Sequence, residues 1–375
     1  MKILLDARMV VAKDFGMGRY LYNLLKELAN IDQENDYVIM VNDDYLADLL
    51  KPAKNFRLLK VGLKWLGLME QFRLPGIIKK VQPDIFHAGS FVVPLVQPCP
   101  TIATIYDLIH VRYPKRYFWL HSIYYNLVLR KALMTVKRII TISEFSKNDL
   151  VAFYKLPKEL IRVAYPAVEE AFCQIKDRAL VDSFRQQRGL PERFILYVGN
   201  RKKHKNLLCL LTAYSKLATG RQLDHKLVLS GPEDNETKAF LKRYNIEGGV
   251  IFAGMVRDSD LALLYNAADL FVFPSLFEGF GLPPLEAMAC GVPVVTSNTS
   301  SLPEVVGNAA LLFDPKDVEG LAQAILRVLT DRSLAQGLIK NGLEQVKKFS
   351  WAECAQRTLE VYNDATKKDR VYNGK

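Results

Sequence analysis

Short apolar runs rich in β-forming residues alternate with stretches of helical length along the whole chain, and they fall into two series. The first series comprises Ile3–Leu5, Tyr37–Val41, Leu58–Val61, Ile85–Phe86, Thr101–Ile105 and Ile139–Ile142. The second comprises Phe194–Val198, Leu227–Ser230, Val250–Phe252, Leu270–Phe273, Val292–Thr296 and Leu311–Phe313. Continuous apolar runs separated by crossover-length segments predict parallel strands covered by helices on both faces. At 375 residues the chain exceeds the length at which one core usually stops growing. The pattern therefore predicts an α/β protein of two doubly wound, Rossmann-like domains, 1–168 and 169–350. The crossing point falls at Tyr165-Pro166-Ala167-Val168, with the hinge near Pro166. The amphipathic stretch within 351–375 has no strand after it to feed, so it is able to pack on either domain, including back on the first.

Composition narrows the classes. Half of the residues are hydrophobic and 24% are charged, as in ordinary globular proteins. Ala88 to Tyr106 is uncharged and nearly long enough to cross a bilayer, but Pro94, Pro98 and Pro100 make it loop and strand. The apolar run after Lys2 ends at Asp6 and suits a first strand better than a signal peptide. Five scattered cysteines give neither a zinc spacing nor a disulfide framework, which fits a reducing cytoplasm. A net charge of +11 calls for an anionic partner: nucleic acid, an acidic membrane face or a phosphorylated small molecule.

The segment Pro274-Ser-Leu-Phe-Glu278-Gly-Phe280-Gly281-Leu282-Pro-Pro-Leu-Glu286-Ala-Met-Ala-Cys-Gly291 follows a strand run, turns through two glycines and opens a short helix that Gly291 ends. Such a turn presents backbone N–H groups and the positive end of a helix dipole, an anion site suited to a diphosphate. Glu286 reads as lying in the first helical turn. There it is either a dipole partner or an acceptor for sugar or ribose hydroxyls. Glu278, inside a Gly-Phe-Gly turn, neither caps a helix nor belongs in a core. A second loop, Gly199-Asn200-Arg201-Lys-Lys-His204-Lys205-Asn206, carries four cations between a strand and a helix and reads as a phosphate clamp or a solvated basic loop. Gly16-Met-Gly18 opens the first helix. The third glycine of a dinucleotide fingerprint is replaced by Leu21, which disfavours a nicotinamide cofactor. Tyr106-Asp107-Leu-Ile-His110 ends a strand run of the first half, and His110 reads equally well as a core histidine. Asp258-Ser-Asp260 precedes a helical run, with Asp258 as its N-cap, so no metal and no cofactor are expected.

Glu278 and Glu286, set in Pro-Ser-Leu-Phe-Glu-Gly-Phe-Gly-Leu-Pro, resemble the signature of the retaining glycosyltransferases of family four, and the resemblance extends over nearly the whole chain. It implies the GT-B fold, two Rossmann-like domains facing each other across a cleft, and an enzyme that moves a hexose from a nucleoside-diphosphate sugar to an acceptor. It places Glu278 by the donor sugar, Glu286 on the ribose, and the Gly281 and Leu282 amides, in the turn with Phe280, on sugar and phosphate. Lys205 matches the family's phosphate lysine. Asn200 stands where an arginine is often found, with Arg201 as its substitute. Gly16 and Gly18 are similar to the N-terminal glycine loop that meets the diphosphate. A His often stands at Tyr106, so Asp107 or His110 is expected to share its catalytic work. The Phe-Gly-Leu-Pro-Pro turn looks like that of mannosyltransferases using GDP-mannose, with UDP-sugars as the alternative. The resemblance implies retention of anomeric configuration, and because no carboxylate here is an obvious covalent nucleophile, front-face departure and attack is the preferred account, with no metal ion expected.

From Arg112 to Arg138 the chain holds seven cations and no acid, interleaved with aromatic residues, and reads as a basic aromatic helix of the first domain. Arg112, Lys115, Arg116 and Trp119 are its candidate surface toward a glycan or lipid-linked acceptor at an anionic membrane. The alternative is a core helix in which Leu127, Val128, Leu133 and Met134 cover the sheet. The expected location is cytoplasmic, with peripheral contact on the inner face of the plasma membrane left open. Nucleic acid is not an expected partner, because a polyanion binder has no use for the glycine turns and paired glutamates.

Overall fold

The computed structural model describes residues 1–11, 16–65, 69–113, 124–220 and 222–367. They form two compact units, Met1–Pro166 with Ser350–Lys375, and Ala167–Phe349. The first holds seven parallel strands: β1 (Lys2–Asp6), β2 (Asp36–Val41), β3 (Phe56–Lys60), β4 (Ile85–Ala88), β5 (Thr101–Thr104), β6 (Arg138–Thr141) and β7 (Ile161–Val163). Their order is β3-β2-β1-β4-β5-β6-β7. The second holds β8 (Phe194–Tyr197), β9 (Lys226–Leu229), β10 (Val250–Phe252), β11 (Leu270–Phe273), β12 (Val294–Ser297) and β13 (Ala310–Phe313), in the order β10-β9-β8-β11-β12-β13. Every pairing is parallel. In both sheets the strand order reverses beside the first strand, between β1 and β4 and between β8 and β11. Loops leaving the carboxyl ends at such a point diverge and open a crevice.

β7 is absent from the sequence-based series. It is a three-residue edge strand, Ile-Arg-Val, whose central Arg162 is exposed, so it offers no continuous apolar run to read.

The helix Trp351–Thr366 returns to the first unit. Ser350 caps it by accepting from the Glu353 amide at 3.3 Å, while the Glu353 carboxylate is held by Arg357. Its buried face meets the helix Met17–Ile31, with the Trp351 ring 5.7 Å from that of Tyr20 in an edge-on arrangement. Tyr362 Oη lies 2.7 Å from His87 Nδ1, and His87 Nε2 lies 2.7 Å from Thr104 Oγ1. A fully buried imidazole thus ties β4, β5 and the returning helix together. Burial drives the His87 pKa down to about 3, so this histidine is neutral in the fold.

The basic aromatic segment is not one regular helix among the described residues. Ile109–Arg112 is a single helical turn, Tyr124–Leu129 winds as a π-helix, and Arg130–Leu133 is a further α-turn. Leu129, Ala132 and Leu133 are buried, whereas Leu127 and Met134 are exposed and do not cover the sheet.

Candidate functional site

In the second unit the two motif loops leave the two strands that flank the reversal, so topology alone brings them together. The basic loop follows β8, and the Gly-Phe-Gly loop follows β11. They are stapled by main-chain and amide bonds. The Leu276 amide donates to the His204 carbonyl at 2.7 Å, and Asn206 Nδ2 donates to the carbonyls of Pro274 (3.0 Å) and Pro315 (2.8 Å). Asn206 adopts a left-handed conformation at φ 57°, which its side chain tolerates better than most.

With the loops joined, Lys205 Nζ lies 2.7 Å from Glu278 Oε1, and both side chains are about seven-eighths buried. The ammonium also stands 5.2 Å from the centre of the Phe273 ring at the end of β11. A cation held against an aromatic face is partly desolvated, but Glu278 cancels much of its field, so an incoming anion gains the ammonium only by displacing that carboxylate.

Gly281 caps the helix Leu282–Ala289 at φ 123°, and a Cβ there would stand 2.8 Å from Leu302 Cδ2, so both backbone and space require glycine. Pro283 and Pro284 occupy the second and third helical positions and carry no N–H. This concentrates the donor capacity of the helix start on the amides of Gly281 and Leu282. Two serines after β12 hold the turn. Ser300 Oγ accepts from the Glu278 amide (3.1 Å), and Ser301 Oγ donates to the carbonyls of Glu278 (3.0 Å) and Phe280 (2.5 Å). Phe280 itself is buried, edge-on to Phe349 at 5.4 Å, so it shapes the turn from beneath.

Two details differ from the sequence-based reading. Glu286 is the fifth residue of its helix, beyond the first turn, and is 3% exposed. Its Oε2 accepts from Tyr265 Oη at 2.9 Å, which removes the dipole-partner reading and makes it a buried acceptor. Asp258 is the first helical residue and Arg257 the N-cap, with no side-chain cap bond. Helix boundaries read from sequence commonly slip by one residue. Asp260 is committed to Arg188 (2.7 Å) and Arg257 (3.1 Å). Arg257, foremost, holds its carboxyl below the ordinary range.

Arg201 is drawn to the neighbouring strand. Nε donates to Asp234 Oδ2 (3.1 Å) and Nη2 to the Ser230 carbonyl (3.0 Å), while Nη1 is buried with no partner in the structure. Burial alone would raise the Asp234 pKa, but bonds from Thr237 and the charge of Arg201 outweigh it and hold the carboxyl low. Asn200 is exposed, and its Oδ1 accepts from the Lys202 amide at 3.1 Å.

In the first unit Gly16 precedes the helix Met17–Ile31 and is exposed, while Gly18 is buried in its first turn. Tyr106 Oη donates to the Gly89 carbonyl at 2.8 Å, and its ring meets Tyr20 edge-on at 5.2 Å. Gly89 itself admits no side chain, because a Cβ would run into the Asp6 carbonyl and Leu21. Asp107 Oδ1 accepts from the Ile109 amide (2.9 Å), and the His110 ring lies 6.0 Å from that of Phe91. Arg112 grips the buried carboxylate of Asp149, which raises its own pKa, so its guanidinium is engaged within the fold rather than offered to an outside partner. Lys115, Arg116 and Trp119 lie outside the described residues.

The sequence profile of glycosyl transferases group 1 matches residues 181–345, and that of glycosyltransferase family 4 matches residues 16–172. The O-antigen chain mannosyltransferase B of Escherichia coli is 31% identical over 379 residues, covering 96% of this chain and 99% of that protein. The chain belongs to these glycosyltransferases. It is a GT-B enzyme. Sucrose-phosphate synthase from Thermosynechococcus elongatus shares the fold at a TM-score of 0.76 and 22% identity, over 96% of this chain and 98% of that one. Anabaena Alr3699/HepE, solved with UDP-glucose, matches at 0.76 and 19%, over 97% and 99%. Sequence reasoning about this glycosyltransferase passed over Tyr265, Ser300 and Ser301. The run Ser297-Asn-Thr-Ser-Ser301 after a predicted strand is a polar cluster that signals a capped turn. Tyr265 carries no such signal, because in sequence it is one more apolar residue of an amphipathic helix.

Proposed function

We propose that the enzyme transfers a mannosyl group from GDP-mannose to a glycan, in particular a lipid-linked one, with retention of anomeric configuration and without a metal ion. The observation that carries the reading is the Lys205–Glu278 pair, set between the two loops at the strand reversal of the second sheet. A diphosphate arriving there competes with Glu278 for the ammonium and releases the carboxylate toward sugar hydroxyls. As the glycosidic bond breaks, charge grows on the diphosphate. Lys205, the Gly281 and Leu282 amides and the remaining donor of Arg201 are the groups suited to stabilise it. Glu286, buried and oriented by Tyr265, fits the ribose hydroxyls. Glu278 is tied to a cation rather than poised as a covalent nucleophile, which favours front-face departure and attack, with the diphosphate taking the acceptor's proton. The commitment of Asp260 to two arginines favours the metal-free reading over an Asp-x-Asp metal site.

Mannose is favoured by the full-length likeness to an O-antigen chain mannosyltransferase, and by 33% identity over 305 residues to the serotype-specific mannosyltransferase WbdA of Escherichia coli, which spans 76% of this chain and 37% of that protein. The solved UDP-glucose complex of a 19% identical relative supports the UDP-sugar alternative. Thermal shift with GDP and UDP separates them, because a ligand at 100 times its Kd stabilises by about 2.7 kcal/mol. GDP is expected to raise Tm and UDP to leave it unmoved. NMR of the product of GDP-mannose turnover, run with and without EDTA, should show the donor's anomeric configuration at unchanged rate. A UDP-selective shift, an inverted product or loss of activity with EDTA each overturns the corresponding part.

A further inference from the structure

Three segments of the first unit pack side by side in one core: the helix Glu70–Val81, the return loop 91–99 and the turns 124–134. Leu74, Ile78, Phe91, Val92, Val93, Leu129, Ala132 and Leu133 share one buried cluster. Two glutamines lock the segments to each other. Gln71 receives the Leu95 amide (2.9 Å) and donates to the Val93 carbonyl (3.0 Å). Gln97 donates to the Ala132 carbonyl (3.1 Å) and to Thr135 Oγ1 (2.9 Å). Their outer side is unusually apolar. Met69, Phe72, Leu95, Val96, Leu127 and Met134 are 43% to 78% exposed, with Phe72 the most, and these are six of the fourteen large hydrophobic residues exposed among the described residues. Scattered exposed apolar residues need no explanation, but a group held on adjoining segments marks an interaction face.

Within these segments the exposed charges have one sign, although Arg138 is paired with Asp364 and Asp84 lies near Cys99. Residues 69–81, 91–101 and 124–138 contain Arg73, Lys79, Lys80, Arg130, Lys131, Lys137 and Arg138, and their one acid is Glu70. Glu70 is 3% exposed and bound to Arg8. Arg73, Arg130 and Lys131 are exposed. An open hollow of about 430 Å³ is lined by Leu95, Gln97, Cys99, Pro100, Thr135 and Lys137, among others.

We propose that this face docks on a lipid bilayer carrying anionic headgroups, with Phe72, Leu95, Val96 and Met134 at the level of the acyl boundary and Arg73, Arg130 and Lys131 against phosphate. Exposed apolar side chains with exposed cations on the same segments match an anionic interface in both respects. A second copy of the chain fits less well, because an isologous contact would set the same positive charges against each other. The inference deepens the lipid-linked acceptor reading by naming the surface that meets the membrane. It replaces Arg112, which is held by Asp149, with cations that the fold leaves outward.

The test is sedimentation of the full chain with vesicles of phosphatidylcholine alone and of phosphatidylcholine with 30% phosphatidylglycerol, at low and high salt. Binding is expected on the anionic vesicles only, weakening as salt rises. The variant Arg73→Glu/Arg130→Glu/Lys131→Glu is expected to bind on the order of a hundredfold more weakly, at about fivefold or more per cation removed. Phe72→Ser/Val96→Ser is expected to weaken binding with its net charge unchanged, and both variants should keep the wild-type nucleotide-induced thermal shift, which shows that they are folded. Equal binding to the two vesicle types, wild-type binding by the charge variant, or a dimer in solution that the Phe72→Ser/Val96→Ser variant abolishes would overturn the proposal. Vesicle binding without any nucleotide response would instead leave this face standing and remove the donor reading.

Discussion

The two sheets reverse strand order at the same place and put quite different chemistry there. Beside β8 and β11 the loops carry Lys205, Glu278 and Arg201, and the helix that follows carries Glu286, with ion pairs and buried acceptors. Beside β1 and β4 the corresponding region holds Tyr20, Tyr106 and the obligatory Gly89, joined by ring contacts and a hydroxyl-to-carbonyl bond. One topology gives a crevice in both units. Both hold ions, but in the first Arg8, just past β1, is sealed between Asp6 (2.6 Å) and Glu70 (2.8 Å), whereas in the second Lys205 and Glu278 keep part of their surface open. The proposed recognition of a diphosphate therefore rests on the second unit's residues, while Tyr20, Tyr106 and Gly89 contribute packing in the first.

The largest effect expected from this contrast is at Lys205. Losing a charge-assisted bond to phosphate costs about 1.5–3 kcal/mol, so Lys205→Ala should lower kcat/KM for the donor by about tenfold to more than a hundredfold. The counterpart in the first unit, Tyr106→Phe, should change the same quantity by less than about threefold while lowering stability by about 1 kcal/mol. Steady-state donor kinetics on both variants would break the comparison if the two losses were alike.

Next in size is a pH effect confined to the first unit. His87 has a folded pKa near 3 against about 6.5 when unfolded, so between these values the unfolded chain binds the extra proton. Stability from this site is complete above about pH 6.5 and falls with acid by about 1.4 kcal/mol per pH unit, or about 2 kcal/mol by pH 5. Unfolding followed at pH 7 and pH 5 should show the loss, and His87→Gln should flatten it. An unchanged pH slope in that variant would assign acid sensitivity to other groups.

Smaller again is Tyr265→Phe, which leaves Glu286 buried but without that hydrogen bond. A rise of about threefold to tenfold in donor KM with kcat little altered is expected, corresponding to about 1 kcal/mol. A fall in kcat alone would move Glu286 from the ribose to the reacting sugar. Arg201→Ala should have the mildest kinetic effect, within about fivefold, because most of its donors serve Asp234 and the Ser230 carbonyl. A loss as large as that of Lys205→Ala would restore Arg201 as a principal phosphate cation.

What could be read beforehand follows how local each determinant is. The turn at Gly281 and the stop at Gly291 were legible because glycine and proline act on the backbone where they stand, and both glycines take positive φ. The alternation of strands and helices was legible because burial on both faces makes parallel strands apolar throughout. The depth of Glu286 was not, because it depends on Tyr265, 21 positions away and on another helix. The engagement of Arg112 was hidden for the same reason, since Asp149 lies beyond an intervening strand. The exposure of Phe72 was equally invisible, as a Phe in an amphipathic helix is ordinarily assigned to the core. Sequence thus announces geometry that one residue type imposes, and stays silent on pairings between distant segments.

The helix Trp351–Thr366 has a bearing on how the protein is made. It supplies Tyr362 to His87 and Trp351 to Tyr20, yet it follows every residue of the second unit. On the ribosome, domains ordinarily fold in the order in which they emerge. Here the first unit stays open along one helix, with His87 Nδ1 lacking its partner, until the second has been synthesised in full. A chain stopped at any point between Pro166 and Ser350 would leave a seven-stranded sheet with a bare apolar stripe, so the unit begun first is the one completed last.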